Sequence, residues 1–256
     1  MITSGRLVGY QGVARDITER IQLDRMKTQF VSMVSHELRT PLTSIRGALQ
    51  LLMEPGLVDE PEEREALART SLGNTERLIR IVNDILDISK IEAGQLRMAP
   101  VPCDVQTLVD DALHVVGQIA RQVGLAIRVD LEPGLPPVLV DPDRTVQALV
   151  NLLSNAVKHS PRGGTVHLAA HASPVGVAIA VRDEGPGIAP EKLSVIFEPF
   201  TQLDTGDSRR VAGTGLGLTI TKAFVEQQGG HVRVESDTGH GATFTVTLPV
   251  TGRAAA

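Results

Sequence analysis

Apolar residues in the first third of the chain recur at steps of three and four, the spacing of helices that bury one face. The first series is Leu23, Met26, Phe30, Met33, Leu38, Leu42, Ile45, Leu49 and Leu52. After a turn at residues 54–56, the second series is Leu67, Ser71, Asn74, Leu78, Ile81, Ile85 and Ile88. Two antiparallel helices with one apolar stripe each cannot close a core alone, whereas two such hairpins form a four-helix bundle. The pattern therefore predicts a helical hairpin over residues 17–94 that forms a homodimer.

After Gly94 the pattern changes to strand-like segments interleaved with three helical segments. The helices are predicted at about 104–121, 143–159 and 214–228, and the strands at 96–101, 125–131, 138–140, 166–172, 175–182, 231–235 and 243–248. This order is typical of an α+β sandwich with a mixed sheet and helices on one face. We therefore expect a multidomain chain, with the hairpin followed by a sandwich domain over residues 95–250 and a tail at 251–256.

Composition excludes several classes of function. The net charge is −5 and no concentrated basic face is evident, which argues against nucleic-acid binding. The single cysteine excludes an internal disulfide and a cysteine-rich metal site. No apolar run approaches the roughly 20 residues that span a bilayer, and no signal peptide opens the sequence. We expect this part of the protein to be cytoplasmic and without membrane contact, which leaves open a membrane anchor elsewhere in a parent protein.

The segment SHELRTPL (35–42) places an imidazole, a carboxylate and a hydroxyl close together on the first helix. His36 lies off the apolar positions and should face solvent. Neutral imidazole is a nucleophile, and Glu37 can take the proton from one ring nitrogen while the other attacks. Thr40 shares the face of His36 and offers a hydroxyl that orients a water. The alternative for Glu37 is an ordinary solvated charge, and spacing alone does not decide between the two.

A second polar cluster lies on the helix predicted at 143–159. Its members are spaced at i, i+4, i+7 and i+8 and are Asn151, Asn155, Lys158 and His159. Amide oxygens suit a hard cation such as Mg²⁺, and the ammonium suits phosphate oxygens. An amphipathic helix with a wet face has the same spacing, so the alternative stays open.

Two glycine-rich segments complete the candidate chemistry. In DEGPGI (183–188), Asp183 can accept a hydrogen bond from an exocyclic amine such as that of adenine, and the glycines allow a tight turn beside a flat ring. In GTGLGL (213–218), glycines precede a helix, an arrangement that favours anions. No Lys-Ser/Thr follows, as in a Walker motif, and the third glycine of a Rossmann fingerprint is absent.

Together and in this order, these segments resemble the sensor histidine kinases of two-component systems, with a HisKA-type phosphoacceptor hairpin and a GHKL-type ATP-binding domain. The resemblance covers about residues 16–249. SHELRTPL resembles the H box, NLLSNAVKHS (151–160) the N box, DEGPGI the G1 box, FEPF (197–200) the F box, GTGLGL the G2 box and GHGATF (239–244) the last nucleotide-site motif.

The resemblance implies ATP and Mg²⁺ as cofactors. His36 would be the phosphoacceptor, Glu37 its base, and Thr40 would position water when the enzyme acts as a phosphatase. Asn155 would hold Mg²⁺, Asp183 would bind the adenine amino group and Thr243 would help at the same edge. The other residues implied at the nucleotide are Asn151, Lys158, His159, Gly185, Gly187, Ile188, Gly213, Thr214, Gly215, Leu216, Gly217 and Leu218. At His159 the family often has tyrosine, and either side chain can bond a phosphate.

The family also implies a mobile segment over ATP and two partners. Segment 189–212 would cover the nucleotide, with Phe197 and Phe200 as anchors, and by charge and position Arg209 or Arg210 is expected at the γ-phosphate. The phosphoryl group would pass from His36 to an aspartate in the receiver domain of a bacterial response regulator. The opening GVARDITER (12–20) resembles the end of a PAS domain, so residues 1–16 would be the remnant of an upstream sensor.

Three alternative functions fit the sequence less well. An ATP hydrolase of the same superfamily carries a glutamate four residues before the magnesium asparagine, where this chain has Asn151, which cannot act as a base. A nucleotide-sensing scaffold without catalysis would lack the acceptor or one of the boxes, and none is missing here. A hybrid kinase would add a receiver domain, and the sequence ends soon after the nucleotide motifs.

Overall fold

The computed structural model describes residues 2–3, 6–7, 18–54, 56–58, 60–199, 201 and 214–251, with side chains from residue 31 onward. The chain divides into two compact units, Met1–Leu78 and Ile79–Ala256. Strands β1 (Ile2–Thr3) and β2 (Arg6–Leu7) pair antiparallel. The remainder of the expected sensor remnant and the end of the tail lie outside the described residues.

The predicted hairpin is formed by helices α1 (Thr18–Met53) and α2 (Pro61–Glu92). Helix α1 continues through Pro41, which is buried. Helix α2 begins with a proline followed by Glu62 and Glu63, and both features suit a helix N-terminus, where amides lack partners and the dipole is positive.

The apolar stripe predicted for α2 is confirmed, because its members are buried or half-buried. Within the series predicted for α1, Leu42 and Leu49 are exposed, whereas the neighbouring Pro41 and Ala48 are buried. The less exposed face of α1 thus combines Pro41 and Ala48 with the half-buried Leu38, Ile45 and Leu52, and Leu42 and Leu49 lie seven residues apart on its exposed side. On α2 a second exposed apolar stripe is formed by Leu72, Ile79, Val82 and Leu86.

The second unit contains the predicted mixed sheet, with strand order β4-β6-β7-β9-β8. These strands are β4 (Ala126–Leu131), β6 (Thr165–Ser173), β7 (Gly176–Arg182), β8 (His231–Ser236) and β9 (Ala242–Leu248). Only β4 and β6 pair in parallel within this sheet. A separate antiparallel pair joins β3 (Val101–Cys103) to β5 (Val138–Val140).

Three helices accompany the sheet: α3 (Val105–Gln122), α4 (Pro142–His159) and α5 (Gly217–Gln227), with a short 3₁₀ helix at Pro190–Lys192. Asp104 and Asp141 cap α3 and α4, each accepting a bond from a backbone amide three residues on. Buried aliphatic residues of α3 and α4 and alternate residues of the strands form one core. The helix layer therefore covers one face of the sheet.

The strand predicted at 96–101 is wrong, because the first strand of this unit begins only at Val101. Leu96 and Met98 instead pack against a small second core formed by Ile88 of α2 with Leu216, Ile220 and Phe224. Their apolar spacing reflects contact with α5, not strand pairing. None of the helices that the structure describes is long and apolar enough to cross a membrane.

Candidate active site

His36 lies on the solvent side of α1, as its place off the apolar stripe predicted. Its side chain is 75% exposed, and its Nδ1 lies 3.7 Å from Oε1 of Glu37. Glu37 itself is only 14% exposed, because α2 covers it. The imidazole is therefore accessible to a phosphoryl donor, whereas the carboxylate beside it is largely withdrawn from water.

Glu37 has a cationic partner that the sequence analysis did not identify. Arg77 of α2 donates from Nη2 to Glu37 Oε2 at 2.8 Å. The interpretation of Glu37 as an ordinary solvated charge does not fit this environment. Its two oxygens have different neighbours, the guanidinium of Arg77 on one side and the ring of His36 on the other.

Thr40 lies one turn after His36, and its hydroxyl donates to the His36 carbonyl at 3.2 Å. This bond fixes the side chain against α1 and leaves the hydroxyl oxygen as an acceptor. Thr40 is exposed, so a water can reach it on the same face as the imidazole.

The polar stripe of α4 is half-buried, as expected for residues that line a site. Nδ2 of Asn151 donates to the carbonyl of Gly217 at 3.3 Å, which ties α4 to the first residue of α5. Asn155 follows one turn later, and Lys158 and His159 end the helix. Burial lowers the pKa of His159, and the adjacent charge of Lys158 lowers it further, so this imidazole tends to be neutral.

Asp183 is the buried carboxyl at the end of β7. Its Oδ1 accepts bonds from the backbone amides of Gly185, at 2.8 Å, and Ala242, at 3.1 Å. Burial raises the pKa of Asp183, an effect that these two amides and Arg182 oppose. Both bonds use the same oxygen and hold the carboxyl in one orientation.

Two glycines allow the backbone to approach closely around Asp183. Gly241 has a φ of +78°, and a β-carbon there would lie 2.0 Å from the Asp183 carbonyl oxygen. Gly187 has a φ of +71°, and a β-carbon there would lie 2.1 Å from the carbonyl oxygen of Asp237. Gly185 is also confined, since its β-carbon would meet Asp183 Oδ1 and the His159 carbonyl oxygen, each at 2.8 Å.

Thr243 is not brought to Asp183 by the structure. In the pairing of β7 with β9, Arg182 lies opposite Thr243, so Asp183 lies opposite Ala242. Because successive side chains of a strand point to opposite faces, Thr243 lies on the other face of the sheet. The residue beside the carboxyl is Ala242, which contributes its amide.

Two further predicted site residues, Ile188 and Phe197, lie in the segment that follows Asp183. Ile188 is buried in the core, and its amide donates to Ser236 Oγ at 2.8 Å. Phe197 packs edge-on against Phe244 with ring centres 6.4 Å apart, and its carbonyl accepts a bond from Thr219. The contacts of Ile188 lie just before the 3₁₀ helix and those of Phe197 lie just after it, so the segment is fixed on both sides of this helix.

The glycine segment before α5 is bonded to α2 and, through a local turn, to itself. Thr214 donates from Oγ1 to Asp84 Oδ2 at 3.3 Å and accepts a bond from the Leu216 amide at 3.2 Å. Gly215 has a φ of +68°, a conformation that favours glycine. Leu216 is buried and Leu218 packs on the main core. Helix α5 begins between these two leucines, at Gly217.

Four predicted site residues, Phe200, Arg209, Arg210 and Gly213, lie outside the described residues. Conversely, sequence analysis missed three charged residues of the described part, namely Arg77, Asp84 and Arg144. Asp84 and Asp87 lie within a predicted apolar stripe of α2, between Ile81 and Ile88. Carboxyls in such positions are a signal that could have identified buried partners.

The groups around Asp183, on the polar stripe of α4 and at the start of α5 suit an adenine nucleotide in their chemistry. A buried, oriented carboxyl can accept a bond from an amine, amide oxygens suit a cation, and a helix start preceded by glycines suits phosphate. Asn151 occupies the position where a hydrolase of the superfamily would carry its general base. The amide of Asn151 cannot accept the proton of an attacking water, so it cannot serve as that base.

Two family models match the chain. Residues 26–94 match the His Kinase A (phospho-acceptor) domain. Residues 140–252 match the histidine kinase-, DNA gyrase B-, and HSP90-like ATPase family. The two matches include His36 and the segments from Asn151 to Phe244 that the sequence predicts to bind a nucleotide.

Curated relatives match almost the whole chain. The alginate biosynthesis sensor protein KinB of Pseudomonas aeruginosa is 38% identical over 250 residues, which cover 96% of this chain and 41% of KinB. The sensor histidine kinase WalK of Bacillus subtilis is 34% identical over 251 residues, covering 96% of this chain and 40% of WalK. The chain thus spans less than half the length of these relatives.

Solved structures agree with the fold. The histidine kinase AdeS of Acinetobacter baumannii superposes with a TM-score of 0.66 at 28% identity, covering 85% of this chain and 98% of the AdeS chain. Full-length ShkA, in complex with AMPPNP, superposes with a TM-score of 0.65 at 31% identity, covering 90% of this chain and 47% of ShkA. The two family models match one after the other along the chain, and the relatives align with both matched regions. The chain therefore belongs to the sensor histidine kinases, with an ATP-binding domain of the HATPase type.

Proposed function

We propose that this protein transfers the γ-phosphoryl group of ATP to His36 and passes it to an aspartate of a response regulator. The observation that carries the proposal is the pairing of an exposed imidazole with an oriented carboxylate on a His Kinase A helix. Nδ1 of His36 lies beside Glu37, so Nε2 is the nitrogen available for attack. The domains proposed are the phosphoacceptor hairpin at 17–94 and the ATP-binding unit at 95–250.

The atoms of the transfer balance without a further reactant. The Nε2 lone pair of His36 forms the N–P bond, and the bond from phosphorus to the bridging oxygen breaks as ADP leaves with its electrons. The Nδ1 proton of the ring passes to Glu37 as the ring gains the phosphoryl group. The product is a phosphoramidate, which is reactive enough to transfer its phosphoryl group to a carboxylate.

The ATP-binding unit would hold the nucleotide through the residues described above. Oδ2 of Asp183 would accept the adenine amine, since its Oδ1 is occupied by two backbone amides. Lys158, His159 and the amides of Gly215–Gly217 would contact the phosphates, with Ile188 and Phe197 as walls.

The residues also fit a magnesium ion that accompanies ATP. Asn151 and Asn155 lie one turn apart on α4, and the bond of Asn151 to Gly217 uses its nitrogen, so both side chains retain an amide oxygen. Amide oxygens are ligands that Mg²⁺ accepts, and Asn155 is the ligand we propose. The ion would neutralise charge on the phosphates.

A homodimer is proposed through the hairpin. The exposed stripes at Leu42 and Leu49 of α1, and at Leu72, Ile79, Val82 and Leu86 of α2, have the spacing of a bundle seam. Burying them against a second hairpin would complete a four-helix bundle. Thr40 would orient water for the reverse, phosphatase reaction on the response regulator.

The test is incubation with γ-labelled ATP and Mg²⁺, followed by acid and alkali treatment. Label that is lost in acid, survives alkali and is absent from His36→Ala would establish phosphorylation of His36. His36→Ala should still bind ATP, which separates loss of the acceptor from loss of the nucleotide site. Nucleotide binding without any label would contradict the proposal and favour the nucleotide-responsive scaffold.

A further inference from the structure

One arginine of α2 holds the carboxylate beside His36. Arg77 bonds Glu37 through Oε2 at 2.8 Å, whereas Oε1 of the same carboxylate lies 3.7 Å from Nδ1 of His36. We propose that Arg77 is a positioning residue for phosphorylation of His36, an inference that rests on the function proposed above. Arg77 acts through Glu37 and contacts neither the imidazole nor the phosphoryl donor in this role.

Burial makes this contact decisive for the orientation of Glu37. The carboxylate is largely withdrawn from water, so its torsion is set by protein donors more than by solvent. A guanidinium–carboxylate bond is charge-assisted and stronger than a neutral one. With Oε2 bound by Arg77, rotation of the carboxylate is restricted, and Oε1 stays on the side of the ring.

The orientation of Glu37 decides which nitrogen of His36 attacks. A carboxylate at Nδ1 favours the tautomer with its proton on that nitrogen, as the aspartate does in a Ser-His-Asp triad. The lone pair then lies on Nε2, at the exposed end of the ring. During transfer the Nδ1 proton moves to Oε1, so a carboxylate that rotates freely would be misaligned for part of the time.

The register of the hairpin brings Arg77 to Glu37, and a second bond supports it. Nδ2 of Asn74, about one turn before Arg77, donates to Oγ of Ser44, about two turns after Glu37, at 3.2 Å. Asn74 also donates to the Thr70 carbonyl of its own helix. Both cross-helix contacts lie in the first unit and fix α1 against α2 next to the acceptor histidine.

The experiment measures autophosphorylation rates at varied ATP in four variants of the full chain. Arg77→Met removes the charge while keeping the length of the side chain, and Arg77→Lys keeps the charge but not the planar fork. Glu37→Gln removes the base, and the double variant Glu37→Gln/Arg77→Met completes a cycle. Arg69→Met is the matched control, since Arg69 pairs with Glu65 on the same helix with both side chains exposed.

We expect Arg77→Met to lower kcat by about 10- to 100-fold, with KM for ATP nearly unchanged. The thermal midpoint should fall as well, because the largely buried carboxylate of Glu37 loses its cation, so kcat is compared at a temperature well below both midpoints. Arg77→Lys should recover part of the rate, and the double variant should be no slower than Glu37→Gln alone. Arg69→Met should match the wild type.

Three results would overturn the inference. The first is a wild-type rate in Arg77→Met. The second is a rate loss that adds to that of Glu37→Gln, and the third is a rate loss that disappears when both Arg77 variants are assayed well below their thermal midpoints. The second would show that Arg77 acts independently of Glu37, and the third would assign it to stability alone. If the wild type and Arg69→Met also leave His36 unlabelled, the proposed function itself fails, a pattern distinct from failure in the Arg77 variants only.

Discussion

Nη1 of Arg144 lies 3.2 Å from Oδ1 of Asp87, an ion pair that joins α4 to the last part of α2. The carboxylate is 8% exposed and also accepts a bond from Gln147 at 3.0 Å. The guanidinium lies 5.0 Å from the centre of the Phe224 ring. Arg144 thus compensates a buried charge and covers an aromatic ring of α5.

Replacing Arg144 should destabilise the second unit. Arg144→Met leaves the carboxylate of Asp87 buried without its cation, an uncompensated charge that costs about 3–5 kcal/mol. Arg144→Lys should recover only part of this, because an ammonium lacks the planar fork and stacks poorly. Urea unfolding measures the free energy, with Arg233→Met as the control, since the Arg233–Glu235 pair is exposed and worth about 0–1 kcal/mol. Equal losses of unfolding free energy in Arg144→Met and Arg233→Met would refute this account.

The pH dependence of stability should reveal Asp84. Burial raises its pKa from 3.8 to about 6; the Thr214 hydroxyl and Arg80 oppose the rise, and nearby Asp87 adds to it. Between about pH 4 and 6 the folded chain therefore binds more protons at this site than the unfolded chain. The contribution of Asp84 to the free energy of unfolding therefore falls as pH rises through that window and is constant above it.

Asp84→Asn removes this titration and keeps an acceptor for Thr214. The variant should exceed the wild type in free energy of unfolding by up to roughly 3 kcal/mol at pH 7, with the difference vanishing near pH 4. Denaturant unfolding at a series of pH values measures it. Asp130→Asn, a substitution of an exposed carboxylate on β4, serves as control. A difference between wild type and Asp84→Asn that does not change with pH would exclude the effect.

Asp183→Asn should impair recognition of adenine without unfolding the domain. The amide oxygen of the variant can still accept the bonds from the Gly185 and Ala242 amides. The amide nitrogen, however, takes the place of Oδ2, and this N–H donor would then face the amine of adenine, which is also a donor. We expect ATP affinity to fall by about 10- to 100-fold, from loss of a charged hydrogen bond, and inosine triphosphate to lose less. Competition with a fluorescent nucleotide measures both ligands.

The adjacent Glu184 provides the control for Asp183. Its Oε2 accepts a bond from the Thr165 amide at 3.0 Å, and Glu184→Gln keeps an acceptor there. We expect that variant to bind ATP within about two-fold of the wild type. Unchanged ATP affinity in Asp183→Asn would remove Asp183 from the adenine site.

Two neighbouring glycines separate steric conflict from backbone strain. Gly241→Ala combines a positive φ with a clash against the Asp183 carbonyl, whereas Gly239 has a φ of +86° and open space around it. Gly239→Ala should therefore cost only about 1–2 kcal/mol and keep ATP binding. Gly241→Ala should cost more and weaken ATP binding, because Asp183 must shift. Thermal unfolding and ATP titration test the pair, and equal behaviour of the two variants would count against the close approach.

Charge on the proposed dimer seam should separate the subunits. Leu72 is 61% exposed on α2, and Leu57 is 60% exposed in the turn of the hairpin. Leu72→Glu should give a monomer, since a carboxylate in the bundle core would be buried without a partner. Leu57→Glu should remain dimeric. Light scattering after size-exclusion chromatography measures the mass, and a dimeric Leu72→Glu would move the interface elsewhere.

Much of the fold follows from local patterns in the sequence. The three-and-four spacing predicted both long helices, and the alternation after Gly94 predicted all strands of the mixed sheet. The exposure of His36 also follows from its place off the apolar stripe. These properties depend on periodicity alone, which determines the face of an element on which each side chain lies.

Partners far apart in sequence were decided only by the tertiary structure. Arg77 meets Glu37 across 40 residues, and Thr214 meets Asp84 across 130. Helical periodicity gives the face of each residue but not the register in which two elements pack. The exposure of Leu42 and Leu49 beside the buried Pro41 and Ala48 was likewise decided by packing, because periodicity alone did not separate these neighbouring positions.

Thr243 shows the same limit at the nucleotide site. The sequence determined that GHGATF ends in a strand with alternating faces. Only pairing with β7 decided that Ala242, and not Thr243, lies opposite Asp183. A shift of one residue along a strand exchanges its two faces, and the register that sets this shift is a property of two strands together.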